Sequence, residues 1–523
     1  MKKILFFSLT IFLSAIAVWY GITHHRGVTC PRCNIIVITV DSIRADHLPC
    51  YGYALNTAPH LCAFADENLR FTRMFANSTW TRPSELSMLT SLYPVSHGMT
   101  DPLPTHMNPK ITTLPQVLYR NGYETTFVSN DHLNMALELG FGRGFQHIQF
   151  TPAIINDETM HTWSDTIDSI QTANKKHKPA FVFIHTDHVH DYIEEILRPP
   201  QKFPLDPAYR SNINYPKQFT EETWKRSIDY LTHSMEVGWG TDPINEQDAW
   251  RTQLRQAKTL DEARQVFLQF PETLQYDLYL NIAQDDLYKN NFADFMELCR
   301  HLYDENIRTF DLSFEKLLKR IDEDGISRNT IVVVIGDHGQ LLGEYGLIGH
   351  ILGISNEEIH VPFIARIPGL SSRVIDGLTQ GIDLYPTLLD VVGISPPKTV
   401  AGISLRKLLT NQKNAPQNKY VISQTLLPDH LESIQTDRWR LVEGFYPIGI
   451  SRNLYDLARD PKQLHSVSPT TQPVVDALTK LLETTIRRQP VYPPVQSAFP
   501  DWFDATVRKQ RIDKGYYFDP LHG

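Results

Sequence analysis

Five cysteines in 523 residues are too few to staple a fold of this size, which excludes a disulfide scaffold. Strong positive charge is missing too. Lysine and arginine number 50 against 59 aspartates and glutamates, a net charge of −9, and no long basic run occurs. A nucleic-acid partner therefore has no electrostatic support. Glycine (26) and proline (34) stay far from collagen-like levels, and 41% hydrophobic residues exclude a disordered chain. No internal repeat is visible. Long apolar runs are absent but for one: after Lys2 and Lys3, an uncharged stretch extends from Ile4 to Ile22. Residues 1–26 read as a signal peptide or a signal anchor. Ala15-Ile16-Ala17 has the small-x-small form of a cleavage site, while Val18, Trp19 and Tyr20 continue the run as an aromatic-ended anchor would. Uncleaved, the segment holds the protein in the inner membrane facing the periplasm; cleaved, it leaves a periplasmic or secreted protein. In such an oxidising compartment Cys30 can pair with Cys33, or Cys50 with Cys62, leaving Cys299 free. A zinc site at Cys30-x-x-Cys33 would need a second such pair, and there is none.

From residue 34, apolar runs alternate with amphipathic stretches, the pattern of parallel strands joined by helices. The runs end in polar, chemically active residues. Asn34–Val40 stops at Asp41; Thr125–Ser129 at Asn130, Asp131 and His132; Ala180–Ile184 at His185, Asp187, His188 and His190; Thr330–Ile335 at Gly336-Asp337-His338-Gly339. In doubly wound α/β sheets the ligand lies beyond the carboxyl ends of the strands, so one catalytic edge is expected. The span from about 200 to 300 is Trp-, Gln- and Glu-rich with a helical period, and reads as a helical insertion into a catalytic domain spanning 34–400. A small C-terminal α/β subdomain follows over 401–489. The remainder, 490–523, is a tail rich in proline and aromatic residues.

The segment from Ser78 to Ser91 has the layout of a nucleophile at a helix start. Pro83 suits a first helical turn, and Thr81 falls at or beside the N-cap, where the helix dipole attracts an anionic sulfuryl or phosphoryl group. An isolated threonine there would be an ordinary cap. Asp41, Asp337 and His338 add two strand-end carboxylates and an imidazole, which with the hydroxyl make an N/O ligand set for one divalent cation. Such a metal lowers the hydroxyl's pKa and takes up charge on the transferred group.

These residues lie within motifs that resemble the sulfatase branch of the alkaline phosphatase superfamily. The likeness includes Val40-Asp41-Ser42-Ile43-Arg44-Ala45-Asp46-His47-Leu48, Thr57-Ala58-Pro59-His60-Leu61, the Thr81 segment with Leu92-Tyr93-Pro94-Val95-Ser96-His97-Gly98, and Gly336 through Glu344. It continues in Asp383-Leu384-Tyr385-Pro386-Thr387 and in Leu454-Tyr455-Asp456-Leu457. The resemblance implies an alkaline-phosphatase-like, mostly parallel sheet sandwiched by helices, and a metal-dependent hydrolase of sulfuric or phosphoric esters.

The departures from the family are as informative. Its sulfatases carry Cys or Ser followed by x-Pro-Ser-Arg, and the first residue becomes formylglycine; here Thr81 and Glu85 stand first and last, so no formylglycine can form. A metal-activated Thr nucleophile resembles instead the family's phospho-head-group transferases. The second acidic metal ligand falls at Ser42. That loss shifts preference toward Mn²⁺ or Zn²⁺, with Ca²⁺ or Mg²⁺ as the alternatives. The family's substrate lysines appear as Asn130, followed by a retained His132, and as His350. His190 matches its substrate histidine best, with His188 as the other choice. With Glu85 in place of arginine, the pocket holds less positive charge and favours a phosphodiester over a compact dianion. Thr81, His350 and His190 are the expected catalytic residues; Asn130, His132, His188 and Glu85 the expected substrate-binding ones. The substrate is an ester, with a lipid or glycan of the envelope as the candidate class. The rival readings are an envelope head-group transferase and a catalytically silent homologue acting as a binding or scaffold protein.

Overall fold

The computed structural model describes residues 30–100, 105–129, 140–150, 157–190, 292–350, 353–412, 415–426, 430–446, 449–467 and 471–496, with scattered positions between 253 and 266. The N-terminal apolar run, most of the expected helical insertion, the tail beyond 496, Asn130 and His132 lie outside the described residues. Among the described residues, no helix is long and apolar enough to cross a membrane.

The chain divides into two compact units. The first comprises Met1–His188, Phe310–Gln340 and His350–Ser497; the second comprises Val189–Thr309, Leu341–Gly349 and Ala498–Gly523. The first is built on a nine-stranded sheet. Its strands are β1 (Asn34–Val40), β2 (Leu69–Phe75), β3 (Glu124–Ser129), β4 (His147–Phe150), β5 (Ala180–Thr186), β6 (Thr330–Gly336), β7 (His360–Arg366), β8 (Arg373–Ile375) and β9 (Thr379–Gln380). They follow the order β8-β2-β7-β6-β1-β5-β3-β4, with β9 also on β2. All four apolar runs read from the sequence are strands, and β6, β1, β5 and β3 are mutually parallel neighbours. Every residue of these four is buried, as strands covered on both faces must be. β7 runs antiparallel to both β6 and β2, so the sheet is mixed at that edge.

Helices cover the sheet: α1 (Pro59–Glu67), α2 (Thr81–Thr90), α3 (Leu114–Arg120), α4 (Asp157–Lys175), the long α5 (Phe292–Glu323) and α6 (Leu384–Val391). The boundary between the two units falls inside α5. Aromatic side chains fill the layer between sheet and helices: Phe71 stacks on Phe363 at 4.3 Å, and Phe64 meets Phe314 edge-on at 5.2 Å.

The expected C-terminal subdomain is a four-stranded antiparallel meander, β10 (Val421–Thr425), β11 (His430–Gln435), β12 (Trp439–Tyr446) and β13 (Gly449–Asp456), followed by α7 (Gln472–Arg487). α7 buries Val475, Leu478 and Leu482 against Ile422, Ile434, Leu441 and Leu454, an apolar stripe at helical spacing. Both cysteine pairs, Cys30–Cys33 and Cys50–Cys62, are bonded. Cys299 is free and buried, with burial pushing its thiol up to about 12.

Candidate active site

Three parallel strands deliver the site. Thr39 and Asp41 lie two residues apart at the end of β1 and therefore on one side of the chain. On β5, His185 is the register partner of Thr39, and on β6, Gly336 is the partner of Val40, so Asp337 and His338 emerge beside Asp41. α2 begins at Thr81 itself, with Trp80 as the extended N-cap residue. Its ten residues are all buried. Thr81 and Glu85, one helical turn apart, share the face turned toward the strand ends.

The hydroxyl of Thr81 donates to Asp41 Oδ2 at 3.1 Å and lies 3.3 Å from His338 Nε2. His338 Nε2 is in turn 3.4 Å from Asp41 Oδ1 and 3.5 Å from Asp337 Oδ2. Its other ring nitrogen, Nδ1–H, donates to the Gly339 carbonyl at 2.9 Å. That bond fixes the tautomer and turns the Nε2 lone pair into the cluster. Gly339 makes the turn feasible: its N–H reaches the Glu358 carbonyl at 2.8 Å, and a Cβ would sit 2.0 Å from the Glu357 carbonyl oxygen.

Ser42, at the position where the resemblance implies an acidic residue, holds two carboxylates in place. Its φ of 61° is in the left-handed region, a conformation unusual for a residue with a side chain. There its N–H donates to Asp337 Oδ1 at 3.1 Å and its hydroxyl to Asp41 Oδ1 at 2.9 Å. Ser84 adds a 2.5 Å hydrogen bond to the Asp337 carbonyl, tying α2 to the β6 end.

These residues fit a divalent cation. Ligand atoms of Asp41, Asp337 and His338 lie within 4.8 Å of one another, and all three side chains are buried. Asp337 Oδ2 is buried without a hydrogen bond, an arrangement that costs free energy unless a cation occupies the other side. Burial pushes the Asp337 carboxyl well above the usual range, and the charges of Asp41 and Glu85 push it the same way. A bound cation reverses that balance.

The other expected residues are placed as follows. His350 lies at the site: its ring sits 4.5 Å from that of His338, and its Nδ1–H donates to the Thr79 carbonyl at 3.1 Å. Glu85, expected to face substrate, is fully buried; its Oε1 accepts from Thr39 at 2.5 Å and from His185 Nδ1–H at 2.7 Å. Burial raises its pKa against the pull of His185. His188 is buried too, and burial followed by the repulsion of His185 depresses its imidazole to about 3. His190 belongs to the second unit. His185, named from the sequence as a strand-end residue but given no role there, lies at the site, its Nε2 3.8 Å from Asp41 Oδ2. Its position level with Thr39, at the end of a run already read as a strand, was the available signal.

At the start of the buried α2, a hydroxyl thus faces two carboxylates and an imidazole carried on parallel strand ends. The sulfatase family model matches residues 33–394, and the chain belongs to the sulfatase family. A second model, the C-terminal part of N-sulphoglucosamine sulphohydrolase, matches 343–489. Among curated relatives, an N-acetylglucosamine-6-O-sulfatase of Bacteroides thetaiotaomicron is 22% identical over 83% of this chain and 82% of its own length. A solved structure in complex with its substrate D-glucosamine-2-N,6-O-disulfate aligns with a TM-score of 0.61 and 19% identity, covering 88% of this chain and 99% of that one. The phosphonate monoester hydrolase of Agrobacterium radiobacter aligns at 0.59 and 17%, covering 90% and 100%.

Proposed function

We propose that this sulfatase-family hydrolase cleaves phosphodiesters in preference to sulfate esters, with Thr81 as nucleophile, in an exported position. The observation that carries the reading is the Thr81 hydroxyl, 3.1 Å from Asp41 and 3.3 Å from His338 at the first residue of α2. A divalent ion held by Asp41, Thr81, Asp337 and His338, Mn²⁺ or Zn²⁺ by the ligand set, supplies charge to lower the hydroxyl's pKa and to stabilise the transition state.

The Thr81 proton passes to Asp41 Oδ2, its hydrogen-bond partner. The oxygen then attacks phosphorus in line; the Oγ–P bond forms, the P–O bond to one ester group breaks, and the leaving oxygen takes a proton from His350. In a second step water gives a proton to His350 and its oxygen bonds to phosphorus; the Oγ–P bond breaks, and Thr81 Oγ takes back the proton held by Asp41. By the resemblance, His132 and Asn130 orient the substrate in this reading.

Several features support a singly charged group. The side chains that meet the Thr81 hydroxyl are a carboxylate and an imidazole, Asp41 and His338, and Glu85 stands where the family's arginine would. A phosphodiester or phosphonate monoester asks less positive charge of such a pocket than a dianion does. A neighbour of the same fold bears the name phosphonate monoester hydrolase. Two disulfides and the apolar N-terminal run agree with export. An envelope lipid or glycan is the substrate class that such an address suits.

The test uses the full chain in detergent, stripped of metal, reconstituted singly with Mn²⁺, Zn²⁺, Mg²⁺ or Ca²⁺, and assayed on aryl phosphodiester, phosphomonoester and sulfate. Metal-dependent diester turnover should lead, and Thr81→Ala should lower kcat by about 10³-fold or more. Faster sulfate hydrolysis, or turnover indifferent to Thr81→Ala, would overturn the reading.

A further inference from the structure

We infer that Glu85, His185 and Asp337 form a second divalent-cation site, with Asp337 shared between it and the site of Asp41, Thr81 and His338. The inference rests on the metal reading above only through that shared residue. Ligand atoms of Glu85, His185 and Asp337 lie within 4.8 Å of one another. Their exposures are 0%, 1% and 0%, so water cannot solvate the carboxylates.

Each carboxylate engages the protein through one oxygen and leaves the other bare. Glu85 Oε1 accepts two hydrogen bonds, from Thr39 and His185, while its Oε2 is buried with none. Asp337 Oδ1 accepts from the N–H groups of Ser42 and His338, while its Oδ2 is buried with none. Two buried, unsatisfied carboxylate oxygens in one cluster are costly for a protein unless an ion completes them.

Charge points the same way. Asp41, Glu85 and Asp337 bring three negative charges into one buried space. One divalent ion leaves that set at −1 and a second brings it to +1, which strengthens the pull on an anionic ester. Carboxylate oxygens with an imidazole select a borderline cation such as Mn²⁺ or Zn²⁺.

The experiment counts metal on the full-length chain. Stripped protein is reloaded with Mn²⁺ or, separately, Zn²⁺, freed of excess by gel filtration, and measured by elemental analysis per chain. The native chain should hold two ions, and Glu85→Gln and His185→Asn should each hold one while keeping the native circular dichroism and a cooperative melt. Two variants are used so that one failing to fold leaves the other informative; in Mn²⁺-loaded native protein an exchange-coupled electron paramagnetic resonance signal supplies a further readout that needs no variant. One ion per native chain, with no exchange coupling, overturns the second site and leaves the first standing; none overturns both. A single ion that Glu85→Gln weakens by about 10–100-fold would make Glu85 an orienting partner of a ligand instead, and also overturns the second site.

Discussion

Ser42 donates a 2.9 Å hydrogen bond from its hydroxyl to Asp41 Oδ1 while its own backbone is held at a φ of 61°. A serine with a left-handed backbone thus orients the Asp41 carboxylate through its hydroxyl.

Ser42→Ala removes this bond without changing the turn. Metal affinity should fall about 10-fold or more, the usual cost of losing a partner that orients a ligand. Titration calorimetry on the stripped chain measures it, and an unchanged affinity would show that Asp41 is oriented by other contacts.

Removing the metal should also reduce stability. With the ion at 100 times its Kd, the folded state gains about 2.7 kcal/mol. Chelation should therefore lower the thermal midpoint, and added Mn²⁺ or Zn²⁺ should restore it. A midpoint indifferent to chelator would mean that the buried carboxylates are satisfied without a cation.

His97 gives the fold an acid sensitivity of its own. Its Nε2–H donates to the Pro83 carbonyl at 3.2 Å, while Nδ1 accepts from the Met99 N–H at 3.1 Å. Burial depresses its pKa from 6.5 to about 3, against the Pro83 hydrogen bond. The unfolded chain takes up a proton below 6.5 that the folded chain refuses. The contribution is whole above that pH and is lost by about 1.4 kcal/mol per unit as pH falls toward 3. His97→Asn, which keeps an acceptor for Met99, should flatten the dependence of urea-unfolding free energy between pH 7 and 5 by about 2 kcal/mol. Parallel curves for native and variant would exclude the role.

Arg440 is fully buried and binds Ser433 Oγ, Asn356 Oδ1, Gln463 Oε1 and the Ile354 carbonyl. It joins the C-terminal meander to the segment preceding β7. Arg440→Ala should cost about 2–4 kcal/mol in chemical denaturation, through stranded acceptors and lost packing. Arg440→Lys should recover little, because an ammonium cannot span partners set out for a planar fork. A loss below about 0.5 kcal/mol would place the network among neutral contacts.

Much of the fold was legible from one rule. Runs such as Asn34–Val40 and Thr330–Ile335 are apolar at every position because strands covered by helices on both faces have no wet side, and each ends at the residue type that needs a polar edge. The same rule located Asp41, Asp337 and His338. Thr81 was legible because a helix start has its own chemistry, and Pro83 marks one. The antiparallel β7 was not legible, since an apolar run carries no direction.

The meaning of Glu85 was decided by tertiary structure. In the chain it is a polar residue in a helix, and by analogy a group facing substrate. Only the register of β1 against β5, which sets Thr39 beside His185, shows that two donors meet one carboxylate oxygen while the other remains bare. Residue types, their order and the strand ends that carry them were determined by the sequence alone, because local periodicity and termination are local physics. Which side chains share a buried space, and what charge that space must balance, depends on contacts between residues such as Asp41 and His338, 338 − 41 = 297 positions apart in the chain; that was settled only by folding.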